Sequence, residues 1–232
     1  YKININQIFK FVCGHSLGEF TALCAANVLT LKDTSNLLKI RGQSMQEAVP
    51  NGEGSMAALI SSDFSKLDDL LNMVKKIGVC EIANHNSSEQ IVISGNAKAV
   101  QELVNNSDKF AIKRAVLLNV SAPFHCSLMM PAQIKLENEL KEITFNDPDL
   151  PIICNYTAVA ENNPLKLKEN IINQVTNKVR WKETMEYALD KKINKVLECG
   201  SGKVLSGLFK RFSKDFNVYN IETIEDIKKF EI

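Results

Sequence analysis

Gly14-His15-Ser16-Leu17-Gly18 stands between an apolar run and a segment rich in alanine and leucine. Gly-x-Ser-x-Gly in that setting reads as a nucleophile elbow, a sharp strand-to-helix turn that presents a serine hydroxyl. So tight a turn asks Ser16 for a strained backbone and asks for residues without a Cβ two positions to either side. The hydroxyl then stands at a helix N-terminus, where partial positive charge favours a developing oxyanion. The competing reading makes Ser16 an ordinary helix N-cap.

A serine nucleophile needs a base. The chain has three histidines. His15 lies inside the turn and points away from the Ser16 hydroxyl. His85 falls in a loop of an inserted unit. His125 follows Ser121-Ala122-Pro123-Phe124, where the chain leaves that unit, so elimination favours it as the base. The alternative for His125 is a satisfied core histidine. No acid between Ser16 and His125 stands out as a third member, because Asp63, Asp68 and Asp69 look like solvated charges. A backbone carbonyl orienting the imidazole would serve instead. Arg41 lies in Ile40-Arg41-Gly42-Gln43-Ser44-Met45-Gln46 among mostly uncharged residues. It is either a surface residue, which composition favours, or a bidentate clamp for a carboxylate.

The elements that must position these residues follow from periodicity and punctuation. A strand over Ile8–Cys13 precedes helices over about 16–29 and 34–48, the second ended by Pro50-Asn51-Gly52. Between 53 and 121 the order is strand (56–60), helix (64–76), strand (79–84), strand (90–95), helix (97–105), strand (115–120). That βαββαβ order is ferredoxin-like. Beyond it come a helix (about 127–143), a strand (151–156), helices (about 166–175 and 181–192) and a strand (195–199). A Gly200-Ser201-Gly202 turn, a helix (203–212), a strand (218–221) and a terminal helix complete the chain. The expected fold is α/β. A large parallel-sheet catalytic subdomain, similar to the α/β-hydrolases, spans 1–52 and 122–232, and a small ferredoxin-like subdomain spans 53–121.

Composition narrows the function classes. Of 232 residues, 45% are hydrophobic and 24% charged, with a formal net charge of +1. That is a globular balance with no overall signature of nucleic-acid or membrane-surface binding. Six scattered cysteines form no Cys-x-x-Cys pair and have no histidine at zinc spacing. They read as buried thiols in a reducing, cytoplasmic setting, with no metal site expected.

Six blocks occur in order and carry a resemblance. They are Gly14-His15-Ser16-Leu17-Gly18-Glu19-Phe20, Arg41-Gly42 with Met45-Gln46, and Ala83-Asn84-His85-Asn86-Ser87. The others are Ser121-Ala122-Pro123-Phe124-His125, Gln174 with Val179-Arg180-Trp181, and Gly200-Ser201-Gly202-Lys203-Val204-Leu205. Over nearly the whole chain they resemble the malonyl-CoA:acyl carrier protein transacylases of fatty-acid synthesis. The resemblance implies Ser16 as acyl-accepting nucleophile and His125 as base and acid. It implies Gln174 as the residue whose main-chain carbonyl orients the histidine, and Arg41 as the partner of the malonyl carboxylate. It further implies that Leu17 supplies an oxyanion N–H, that Asn84 and Asn86 are polar residues on the subdomain side of the cleft, and that Phe124 helps shape the acyl pocket. Malonyl-CoA and holo acyl carrier protein are the implied partners, the implied state is a monomer, and no cofactor is implied.

The family begins with a Gly-Gln-Gly-x-Gln strand whose glutamine gives a second oxyanion N–H, and this sequence lacks that motif. Losing one such donor costs about 2.7 to 4 kcal/mol in the barrier. The expectation is a chain that alone is weakly active or inactive and marginally folded. Two alternatives stand beside the transferase. One is a serine thioesterase or esterase. The other is a non-catalytic remnant that binds acyl carrier protein through basic residues such as Lys203, Lys210 and Arg211.

Overall fold

The computed structural model describes residues 5–229. A short helix, α1 (Ile5–Ile8), leads into the two-residue strand β1 (Val12–Cys13) and helix α2 (Leu17–Ala25). The strand expected from Ile8 therefore starts four residues later. Its partner explains the delay: Val12 N–H donates to Pro151 O at 3.1 Å, and Pro151 has no N–H with which to extend the ladder backward. Helix α2 ends at Ala25, ahead of Asn27, which takes a left-handed φ of 60°. Helix α3 (Leu31–Glu47) begins earlier than expected because Thr30 caps it, its hydroxyl accepting from Asp33 N–H at 3.1 Å.

The next elements are β2 (Gly54–Ile60), α4 (Leu67–Val74), β3 (Cys80–Ser87), β4 (Gln90–Asn96), α5 (Ala97–Asn106) and β5 (Arg114–Leu117). They form a four-stranded sheet in the order β3-β4-β2-β5, with every pair antiparallel. This is the βαββαβ order read from the sequence. Amphipathic α4 and α5 cover one face through Leu67, Leu70, Val74, Ala99, Val100 and Leu103, against Leu59, Ile91 and Ile93. Strand β3 runs on to Ser87, so the expected Asn-Ser-Ser loop is a tight hairpin with register shifts after Ile82 and His85. His85 is thus a strand residue, not a loop residue.

The chain then forms α6 (Met130–Lys141), β6 (Ile152–Ile153), β7 (Ala160–Glu161), α7 (Pro164–Asn173) and α8 (Trp181–Asp190). It finishes with β8 (Lys195–Cys199), α9 (Val204–Phe212), β9 (Asn217–Ile221) and α10 (Ile224–Lys229). The parallel pairing expected here is present between β1 and β6 and between β8 and β9. These pairs lie in separate sheets, and β7, unforeseen in the sequence, joins β6 antiparallel. Phe20, Leu23, Leu37, Met45, Leu136, Ile152 and Ile171 form the core around α2.

The two cores meet in a seam. Met56, Ala58, Ala83 and Val92 pack there with Leu118 and Phe124. The backbone closes it: Val179 N–H donates to Ala83 O at 2.8 Å, and His85 N–H donates to Val179 O at 2.9 Å. Residues 83–86 are thereby held over the start of α2.

Candidate active site

Ser16 occupies φ 52°, ψ −106°, a conformation that costs an L-residue energy and persists only where surrounding contacts enforce it. Its hydroxyl caps nothing in α2. Ser16 Oγ lies 2.7 Å from His125 Nε2, and that decides between nucleophile geometry and N-cap geometry. The glycine requirement of the turn is one-sided. A Cβ on Gly14 would lie 2.1 Å from the Gly18 backbone, whereas a Cβ on Gly18 meets nothing within 4 Å. Gly14→Ala is expected to destabilise the protein by about 1–3 kcal/mol or more. Gly18→Ala, inside a helix, is expected to be neutral or to stabilise by up to about 1 kcal/mol. Urea unfolding of the two variants tests the contrast.

His125 is buried, with a left-handed φ of 59°. Its Nδ1 lies 2.9 Å from the main-chain oxygen of Gln174. A carbonyl only accepts, so Nδ1 carries the proton and the Nε2 lone pair faces Ser16. No carboxylate is needed to fix this tautomer. Burial, and then the positive charge of Arg41, push the imidazole pKa down to about 3. The ring is neutral at pH 7 and able to take a proton.

Arg41 is 7% exposed, so the surface reading of this residue is excluded. Its Nη2 donates to Ser16 Oγ at 2.9 Å and to Gln174 Oε1 at 3.2 Å. Its Nε has no hydrogen-bond partner among the described residues. The guanidinium carbon lies 5.5 Å from the Phe20 ring centroid. Burial lowers its pKa to about 10, partly opposed by Glu19, so it stays cationic. A buried cation with uncommitted donors beside a serine hydroxyl is suited to an anionic group on whatever that serine attacks.

Two residues missed in the sequence support this cluster. Glu19 is 1% exposed and accepts from Gln174 Nε2 at 2.6 Å and from Asn155 N–H at 3.1 Å. Burial raises its pKa to about 7, against those hydrogen bonds and Arg41. Asn155 is fully buried, and its Oδ1 accepts from Ser16 N–H at 2.6 Å. A single acid in the otherwise apolar and small α2 sequence is the signal that would have found Glu19.

The remaining sequence candidates are placed differently. Leu17 opens α2 with a half-exposed side chain, and its N–H is among those no helical carbonyl can accept. Asn86 reaches the elbow indirectly, its Oδ1 accepting from His15 Nε2 at 3.0 Å. Asn84 is buried where β3 bridges to Val179. Phe124 is half-buried in the seam. His85 faces Glu183 at 3.4 Å, away from Ser16. Among the described residues no group of three or more His, Cys, Asp or Glu is placed to hold a metal.

The acyl transferase domain family matches residues 10–217. A malonyl CoA-acyl carrier protein transacylase of Staphylococcus aureus is 36% identical over 226 residues, 97% of this chain and 73% of that protein. The crystal structure of an acyl-carrier-protein-S-malonyltransferase from Bartonella henselae superposes with a TM-score of 0.94 at 46% identity, covering 98% of this chain and 73% of that one. A malonyl-transacylase solved in complex with its type II PKS acyl-carrier protein gives a TM-score of 0.90 at 35% identity, covering 94% and 71%. With Ser16, His125 and Arg41 gathered on that shared fold, the chain belongs to the acyl transferase domain family, among the malonyl CoA-acyl carrier protein transacylases.

Proposed function

We propose that this chain transfers malonyl from malonyl-CoA to the phosphopantetheine thiol of holo acyl carrier protein, through an ester on Ser16. The observation that carries the reading is the buried Arg41 guanidinium, bonded to Ser16 Oγ with donors to spare. In the first step the malonyl carboxylate takes up those donors, which brings the thioester carbonyl over Ser16. His125 Nε2 accepts the hydroxyl proton as Oγ attacks, and the N–H of Leu17 donates to the oxyanion at the positive end of α2. The intermediate collapses with loss of coenzyme A, whose sulfur takes the proton from His125. In the second step His125 accepts the proton of the pantetheine thiol, the sulfur attacks the ester carbonyl, and the C–Oγ bond breaks as His125 returns that proton to Ser16 Oγ. These proton transfers use protein groups alone, so no cofactor enters. Phe124 and Asn84 border the acyl site from the seam. Six free thiols fit a reducing compartment, and we place the reaction in the cytoplasm.

The test is intact and peptide mass after exposure to malonyl-CoA. A malonyl ester on Ser16 that disappears when holo acyl carrier protein is added supports the reading, and no ester overturns it. A simple esterase has no use for a buried cation at the acyl site, so the hydrolase alternative is disfavoured.

The imidazole sets the pH dependence. His125 is active when neutral and its folded pKa lies far below 6.5, so its own titration should give acylation no acid limb near pH 6.5, and any change there belongs to Glu19, whose pKa is raised to about 7. A bound carboxylate offsets the charge of Arg41 and raises the pKa of His125. Between pH 4 and 8 an acid limb from His125 is therefore expected in kcat and not in kcat/KM, whose own limb lies below that window, as steady-state profiles over the range would record.

A further inference from the structure

We infer that Asn155 is a positioning residue whose side-chain amide stands in for a strand's backbone and holds Ser16 in its strained conformation. The inference rests on Ser16 being the nucleophile. Strands β1 and β6 pair in parallel, with Val12 opposite Ile152 and Cys13 opposite Ile153. Continued by two residues, that register sets Asn155 opposite His15. In a parallel ladder the residue opposite His15 donates its N–H to Gly14 O and accepts from Ser16 N–H. The Asn155 side chain makes both bonds: Nδ2 donates to Gly14 O at 2.7 Å, and Oδ1 accepts from Ser16 N–H at 2.6 Å.

The backbone of Asn155 is committed elsewhere. Its N–H donates to Glu19 Oε2 at 3.1 Å, and its carbonyl accepts from Arg180 N–H at 3.1 Å. The main chain has left the sheet, and the amide side chain continues the ladder around the elbow. Both ends of the strained residue are tied as well: Ser16 N–H goes to Asn155, and Ser16 O accepts from Gln174 Nε2 at 3.0 Å. Gln174 also contributes the carbonyl that orients His125. Asn155 and Gln174 share Glu19 as an acceptor, so the nucleophile and the base are aligned through one buried set of bonds. Of the small polar side chains, only asparagine presents one fixed donor and one fixed acceptor at this spacing.

Aspartate makes the pattern testable. Asp at 155 is isosteric, and when protonated it supplies an O–H for Gly14 O and a C=O for Ser16 N–H. When ionised it sets a second acceptor against Gly14 O. It would be fully buried, near Glu19 and Cys154, with Arg41, His125 and Arg180 as the surrounding cationic or titratable groups, so its carboxyl ionises above the usual range. Asn155→Ala has no such state.

The experiment measures labelling of Ser16 by a fluorophosphonate, which reads serine reactivity without malonyl transfer, alongside thermal unfolding. Asn155→Ala is expected to label about 10²-fold more slowly than the wild type at every pH from 5 to 8. Asn155→Asp is expected to be comparably slow at pH 8 and to recover at least about tenfold relative to wild type by pH 5. Parallel pH profiles for the two variants, or labelling within about threefold of wild type by both, would overturn the inference. If neither variant folds, hydrogen exchange in the unsubstituted protein decides: slow exchange of the Asn155 Nδ2 hydrogens and the Ser16 amide supports it, and exchange at the rate of an exposed asparagine overturns it. Failure of the wild type itself to label would count against Ser16 as nucleophile, a separate outcome.

Discussion

Replacing Ser16 by alanine is expected to stop ester formation and lower malonyl transfer by about 10⁶-fold, the scale seen when a serine nucleophile is removed. The Ser16 hydroxyl, 2.7 Å from a neutral imidazole, is placed to form the acyl bond. His125→Ala is expected to lose a comparable factor. Without Nε2 the proton of Ser16 has no acceptor, and Arg41 donating to Oγ does not replace one. Because the two residues act in one step, the double variant should fall no further than either single one. Malonyl-CoA should still bind to Ser16→Ala within a few-fold of wild type, since Arg41 remains. Single-turnover transfer, paired with equilibrium binding, separates these expectations.

Arg41→Ala is expected to reverse acyl selectivity. Loss of the guanidinium leaves a malonyl carboxylate buried without a partner, at about 3–4 kcal/mol, or roughly 10²- to 10³-fold in kcat/KM for malonyl-CoA. Acetyl-CoA should be unaffected or improved, because a neutral acyl group no longer meets an unpaired buried cation. Arg41→Lys should recover part of the malonyl rate. An ammonium restores charge but not the two parallel N–H donors of a planar guanidinium for the malonyl carboxylate. Competition between malonyl-CoA and acetyl-CoA, read as the mass of the ester on Ser16, measures the change.

The selectivity argument depends on burial that composition pointed against. In sequence Arg41 looked like a surface residue of α3. The helix period places it on the same face as Leu37, Ser44 and Met45, all buried against the core. A charge on that face is costly unless something uses it, and the fold supplies Ser16, Gln174 and Glu19 around it.

The local chemistry was legible without a fold. Gly14 and Ser16 announced the elbow because a turn that tight leaves few residue choices, and elimination among three histidines pointed to His125. The βαββαβ unit was equally readable, since periods of 2 and 3.6 are local properties of the chain. Strand boundaries in the larger unit were not, because β1 and β6 are as short as their mutual pairing permits and no local period reports that. The same holds for the supports of the site. Gln174, reached in sequence only through the family resemblance, holds His125 across 49 positions, while Glu19, which meets Gln174 across 155, and Asn155, which reaches Gly14 across 141, were missed. Sequence by itself singled out Ser16 and His125 as candidate nucleophile and base and determined the βαββαβ order between 53 and 121, through short-range sterics, composition and local period. Only the tertiary structure decided that Arg41 is buried and that Asn155 continues the ladder at the elbow. Both outcomes depend on which distant backbone and side-chain groups lose water together, and no local stretch of residues encodes that.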